Sequence, residues 1–249
     1  MKNNGAVAER KSLLVSHRKK VAHGIPTTGI FLIAGAVKTG KSSLLAEFPN
    51  SYCISAEKEG MDYLEGRIHD VSNLNEFREV LVAVKEDKSI KTLCVDTIDA
   101  IADWIADDVA KEFGLTHINE TKSGVSGYAV SGEFHKRMVS MVDWFLNCGK
   151  LVVLSAHYVE AKNDNGVKTP AKIAVRGKAA EYITYHSKII GCTTKEFDGE
   201  KTNYLLSFQG DELRNWGSRI PEVQDKVITQ GYENFANLFE TKTKKKESK

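Results

Sequence analysis

The chain has 249 residues, 41% of them hydrophobic and 27% charged, which suffices for one α/β domain with a full core and requires no second domain. No apolar stretch approaches the ~20 residues of a membrane span, and Met1-Lys2-Asn3-Asn4-Gly5 lacks the apolar segment of a secretory leader, so a cytoplasmic protein without a membrane partner is expected. The net charge of +2 is uneven: residues 1–23 carry six Lys/Arg against one Glu, residues 240–249 carry five Lys against two Glu, and the body between them is acidic.

In chain order, a basic N-terminal segment (1–24) precedes a core (25–240), and the lysine-rich tail (241–249) has the composition of a disordered end. Gly29-Ile-Phe-Leu-Ile-Ala34 reads as a buried parallel strand. Directly after it, Gly35-Ala36-Val37-Lys38-Thr39-Gly40-Lys41-Ser42 fits the phosphate-binding pattern G-x-x-x-x-G-K-[ST] at every fixed position, and Lys41 to Phe48 has the composition of a first helix. The glycines let backbone N–H groups turn inward around phosphates, and the helix N-terminus adds its partial positive charge. Residues Gly35 to Ser43 are therefore the expected ATP-binding set, with Lys41 on the β/γ-phosphates and the Ser42 hydroxyl on Mg²⁺. A Gly-rich turn with a solvated lysine is the plain alternative.

Further on, Ser51 to Ser55 reads as a strand, Asn75 to Lys85 as a helix, and Lys91 to Thr97 as an apolar strand ending in an acid. Asp99 to Phe113 continues as a helix with Ile101, Trp104, Ile105 and Val109 on one face. Residues 114–132 read as a loop, 131–147 as a helix, 150–155 as a buried strand, and 158–178 as a second irregular stretch. A helix over 179–185 and strands over 189–192 and 204–208 complete the pattern. Alternating strands and helices imply a mostly parallel central sheet with helices on both faces. Cys53, Cys94, Cys148 and Cys192 are widely separated, three of them within or beside apolar runs, which suits buried reduced thiols better than a metal cage or disulfides, and no zinc is expected.

Asp96 ends an apolar strand at the edge where open α/β sheets bind ligands, so it is the expected magnesium acid, while Asp99 suits a helix cap. After the second strand, Glu57 is the first choice for the base that positions attacking water, with Glu59 as the alternative. His157, one step beyond the strand 150–155, stands where a γ-phosphate sensor belongs, although a lone histidine is also an ordinary structural residue.

The order of these pieces resembles RecA-like core P-loop ATPases, and within them the short bacteriophage single-strand annealing and recombination ATPases. The matching segments are Gly35 to Ser42, Ser55-Ala56-Glu57, Cys94-Val95-Asp96-Thr97 and Leu154-Ser155-Ala156-His157, and the likeness spans about residues 28–235. The resemblance implies an α/β RecA-like P-loop NTPase fold, ATP and Mg²⁺ as cofactors, Lys41, Glu57 and His157 as catalytic residues, and Ser42 and Asp96 as metal ligands. It further implies that the stretches 114–132 and 158–178 contact single-stranded DNA, the second through Tyr158, Lys162, Lys168, Lys172, Arg176 and Lys178. Arg214 and Arg219 are candidates for a cation supplied to a neighbour's γ-phosphate in a ring or filament of copies.

The combined expectation is a DNA-stimulated ATPase that assembles on single-stranded DNA and assists recombination or annealing, with a single-strand-binding protein as a possible partner and the host cytoplasm as its place if phage-encoded. Two other classes remain open: a small-molecule kinase, disfavoured by only eight unclustered arginines, and an ATP-binding loader or scaffold with minor hydrolysis.

Overall fold

Side chains along β1 (Gly29–Gly35) alternate between two apolar layers in the computed structural model of the chain. Ile30, Leu32 and Ala34 face one layer and Phe31 and Ile33 the other, as a strand covered on both sides requires. The structure describes residues 24–57, 59–162, 168–211 and 214–240, with the side chains of 161–162 and 168–170 excepted. The basic segments expected at 1–24 and 241–249 lie outside the described residues, Gly24 apart.

After β1 come α1 (Lys41–Ala46), β2 (Ser51–Ser55), β3 (Ile68–Asp70), α2 (Leu74–Glu86), β4 (Thr92–Asp96) and α3 (Ile98–Glu112). The second half adds α4 (Gly127–Asn147), β5 (Leu151–Lys162), β6 (Lys168–Ile173), α5 (Lys178–His186), β7 (Ser187–Phe197), β8 (Thr202–Ser207), β9 (Gly217–Ser218), β10 (Val227–Thr229) and α6 (Tyr232–Glu240). The sheet order is β10-β8-β7-β1-β5-β4-β2-β3, with β6 added to β5 and β9 to β7. From β7 through β3 every neighbouring pair is parallel, and antiparallel pairing is confined to β8, β10 and the short additions. β5 therefore lies between the phosphate-loop strand β1 and the acid-bearing strand β4. This is the expected α/β architecture, a mostly parallel sheet with helices on both faces.

One layer is built from α2, α3, α4 and α5, and the other from α1 and α6. Local chemistry starts the helices where the chain must turn. The Asn73 carboxamide accepts from the N–H groups of Asn75 and Glu76 at 3.1 and 3.0 Å, and Glu76 accepts from the Ser72 N–H at 2.8 Å, a capping arrangement that opens α2. Phe235 on α6 carries the second layer: its ring lies 5.2 Å from Phe31, 5.4 Å from Phe239 and 6.1 Å from Phe208.

Two stretches expected to be irregular are ordered. α4 begins at Gly127 rather than near 131, because Val130 joins Phe134, Met138, Val142 and Phe145 on the buried face. In the stretch 158–178, β5 continues past the sheet to Lys162 and returns as β6, which makes an antiparallel hairpin; residues 163–167 are outside those described. Ala171, Ile173 and Val175 are buried while Lys172 is exposed, a two-residue period masked in the sequence by the surrounding charges. The four cysteines are free and buried, as expected.

Candidate nucleotide site

The glycine loop connects β1 to α1 at the C-terminal edge of the sheet. Gly40, immediately before α1, takes a left-handed φ of 85°, and Lys38 a φ of 60°, which curls the loop's backbone back on itself. Gly35 has no room for a side chain: a Cβ there would meet Thr193 Oγ1 at 2.1 Å and Thr39 Oγ1 at 2.7 Å. Those two hydroxyls bond to each other at 2.7 Å, and Thr39 also donates to the Ala36 carbonyl at 2.8 Å, so β7 braces the loop from behind. From the front, the Gln230 amide donates to the Gly40 carbonyl.

Lys41 is buried inside this loop and donates from Nζ to the carbonyls of Ala36 at 2.9 Å and Gly35 at 3.2 Å. Burial pulls its pKa below the ordinary lysine value, partly opposed by the negative fields of Asp96, Glu57 and Asp99. Ser42 donates to Asp96 Oδ2 at 2.6 Å, and Ser155 donates to the other oxygen of the same carboxylate. Asp96 is 1% exposed, so a hydroxyl and a carboxylate oxygen, the hard ligands that Mg²⁺ takes, are preset side by side.

Beyond Asp96 three ionisable side chains converge. His157, whose backbone pairs with Gly35 across β1 and β5, places Nδ1 2.8 Å from Asp99 Oδ2 and 3.6 Å from Glu57 Oε1. Asp99 Oδ1 accepts from the His157 backbone N–H at 3.0 Å. Glu57 Oε1 accepts from the Thr97 hydroxyl at 3.0 Å, and the same hydroxyl caps α3 by accepting from the Ala100 N–H.

Lys41, Ser42, Glu57, Asp96 and His157 all line one cavity of about 750 Å³, a volume suited to a nucleotide. Val37, Lys38, Gly40 and Ser43 from the expected binding loop line it as well, while Gly35, Ala36 and Thr39 lie behind as its frame. The glycine cradle, the buried ammonium and the Ser42–Asp96 pair fit Mg²⁺-ATP in their donor chemistry. Glu59 is exposed and does not reach the cavity lining.

The other expected residues stand apart. Tyr158 is half-buried, its ring edge-on to Trp216 at 5.9 Å, so it is committed to packing instead of standing free for a base. Lys172 is exposed and 3.4 Å from Glu181, Lys178 is exposed at the start of α5, and Arg176 lies within the field of Asp103 on α3. Lys162 and Lys168 face each other across the hairpin in backbone register; their side chains are outside the described set. Arg214 is exposed, 3.9 Å from Asp211, and Arg219 donates to the Tyr185 carbonyl at 3.2 Å; neither lines the cavity of its own chain.

Sequence reasoning missed Thr193, Gln230 and the part taken by Asp99. Thr97, not Asp99, caps α3, and the Asp99 carboxylate is used on His157. The only signal for this in the sequence was a second acid three residues after Asp96.

Comparison with known proteins gives a family match and a distant structural likeness. The AAA domain family matches residues 29–232. No curated protein matches the chain in sequence. Among solved structures the chain is similar to a KaiC-like protein from the hyperthermophilic archaeon Pyrococcus horikoshii OT3, at 15% identity and a TM-score of 0.47 over 82% of this chain and 85% of that one. It is also similar to the flagellar accessory protein FlaH of Methanocaldococcus jannaschii, at 14% identity and a TM-score of 0.41 over the same shares.

Proposed function

We propose that the chain, which belongs to the AAA domain family of P-loop ATPases, hydrolyses Mg²⁺-ATP in response to single-stranded DNA and serves annealing or strand exchange in DNA recombination. Bound Mg²⁺-ATP supplies the electrophilic phosphorus and the metal charge that neutralises the phosphoryl oxygens. Lys41 and the loop N–H groups hold phosphate oxygens, and Ser42 with Asp96 holds the metal. Glu57 is the base: the Thr97 hydroxyl anchors Oε1 and leaves Oε2 to take a proton from water. His157 is the group that senses the terminal phosphate.

One observation carries the DNA part of this reading: strand β5 is continuous. It delivers His157 to the cavity and runs on to Lys162, paired with the lysine-bearing strand β6, so a polyanion gripping these two strands pulls on the strand that holds the sensor. Lys172 on β6 and Lys178 at the start of α5, both exposed, support phosphate contact on this side of the molecule. Assembly into a ring or filament, with Arg214 or Arg219 reaching a neighbour's nucleotide, belongs to the same proposal, as does a bacteriophage setting.

The deciding experiment is the ATPase rate with and without a single-stranded oligonucleotide at low and high salt. Stimulation that is strong at low salt and fades at high salt is expected. A rate indifferent to DNA at low salt removes the DNA-dependent part and leaves a bare ATPase. Glu57→Gln keeps the Thr97 contact and is expected to bind a non-hydrolysable ATP analogue normally while hydrolysis drops about 10²–10⁴-fold. Hydrolysis at the wild-type rate in that variant moves the base elsewhere.

A further inference from the structure

Asp99 stands beside residues that line the cavity and serves neither the phosphate chemistry nor the capping of α3. Both of its oxygens are spent on a single partner, one on the His157 backbone N–H and one on Nδ1, at 3.0 and 2.8 Å. Two donors from one residue on one carboxylate fix the imidazole in position and in ring orientation. Because a carboxylate only accepts, the Nδ1 atom carries the proton, and Nε2 is left as the ring nitrogen available to a ligand in the cavity that His157 lines.

Glu57 makes this arrangement consequential. Its Oε1 lies 3.6 Å from the same Nδ1, too far for a hydrogen bond but near enough to become the partner if Asp99 were absent. The field of Lys41 reaches Asp99, Glu57 and Asp96 together, and Asp103 on α3 lies in the field of Asp99. We propose that Asp99 is a positioning residue of the nucleotide site, which holds His157 in the Nδ1–H tautomer with Nε2 toward the cavity and keeps that proton off the Glu57 base.

This inference rests on the ATPase reading, but its first test needs no nucleotide. In the nucleotide-free protein, well above the ordinary histidine pKa of about 6.5, long-range ¹H–¹⁵N spectra report which ring nitrogen of His157 carries the proton, with His157→Gln identifying the signal. Wild type is expected in the Nδ1–H form. Asp99→Asn keeps the shape of the clamp, but its carboxamide oxygen goes to the backbone N–H and its NH₂ meets Nδ1, which drives the ring proton to Nε2. In the same variant kcat for ATP is expected to fall about 10–100-fold with KM unchanged, the cost of losing a partner that orients a site group.

An Nε2–H tautomer in wild type overturns the proposal even if Asp99→Asn fails to fold, and so does a folded Asp99→Asn variant with the wild-type tautomer and kcat. Absence of ATP hydrolysis by the wild-type protein refutes the ATPase reading instead and leaves the tautomer result standing.

Discussion

Replacing Gly35 by alanine tests whether the first glycine of the loop is required by packing from β7 as well as by phosphate. The new Cβ would stand 2.1 Å from Thr193 Oγ1, 2.7 Å from Thr39 Oγ1 and 3.1 Å from the Thr193 carbonyl. Retreat is blocked, since Gly35 is paired to His157 on β5 and to Thr193 on β7, and Thr193 is fully buried. Forcing a methyl into such a space costs about 1–3 kcal/mol. Turning the Thr193 hydroxyl away breaks its bond to Thr39, for about 1 kcal/mol more. The expected loss is therefore about 2–4 kcal/mol, and at roughly 2–4 °C per kcal/mol for a domain of this size Tm falls by about 4–16 °C. Urea unfolding followed by circular dichroism measures it. Thr193→Ala removes the obstructing oxygen, so the double variant is expected to be more stable than the sum of the two single losses allows, by about 1–3 kcal/mol of coupling. Single losses that simply add, or a Gly35→Ala protein as stable as wild type, would refute the bracing of the loop by Thr193.

Two further outcomes follow from the core. Phe235→Ala empties the centre of the aromatic layer beneath α1 and is expected to cost about 3–5 kcal/mol, read as a Tm decrease in calorimetry; a change under 1 kcal/mol would mean α6 is not seated as described. Burial pushes the Cys192 thiol up to about 11 from about 9, so at pH 8 about one part in a thousand is thiolate and Ellman's reagent is expected to leave it unlabelled until urea unfolds the chain. Since the folded state favours the protonated thiol, this group's stabilising contribution is whole below pH 9 and is lost as pH rises to about 11; Cys192→Ala should flatten the unfolding free energy over that window.

The hairpin β5–β6 was hidden because its inward positions, Ala171, Ile173 and Val175, alternate with residues that look like solvated loop, and Pro170 adds a breaker signal. The strands β3, β9 and β10 went unread because elements of two or three residues are too short to stand out from the surrounding chain, and α6 because it buries only Phe235 and Phe239. Glu57 was the first choice and Glu59 the alternative in sequence, and only the first lines the cavity, because the turn after β2 puts Glu59 at a left-handed φ of 61° and out to solvent.

What the sequence by itself determined is the part of the site whose geometry is local. Strand, glycine loop and helix lie within 18 consecutive residues, from Gly29 to Ala46, and backbone N–H groups need only that order and the right φ to converge on a phosphate. Asp96 was also readable, since it ends an apolar strand at the ligand-binding edge of a parallel sheet, and so was His157, which follows the apolar run Leu151 to Ser155 and stands at the last pairing of β5 with β1. Only the tertiary structure decided how those ends meet. Inserting β5 between β1 and β4 brings His157 to Asp99, 58 positions earlier, and pairing β7 with β1 sets Thr193 against Thr39, 154 positions earlier. No pattern along the chain encodes such contacts, because they depend on the order in which strands pair, and the burial of whole faces selects that order.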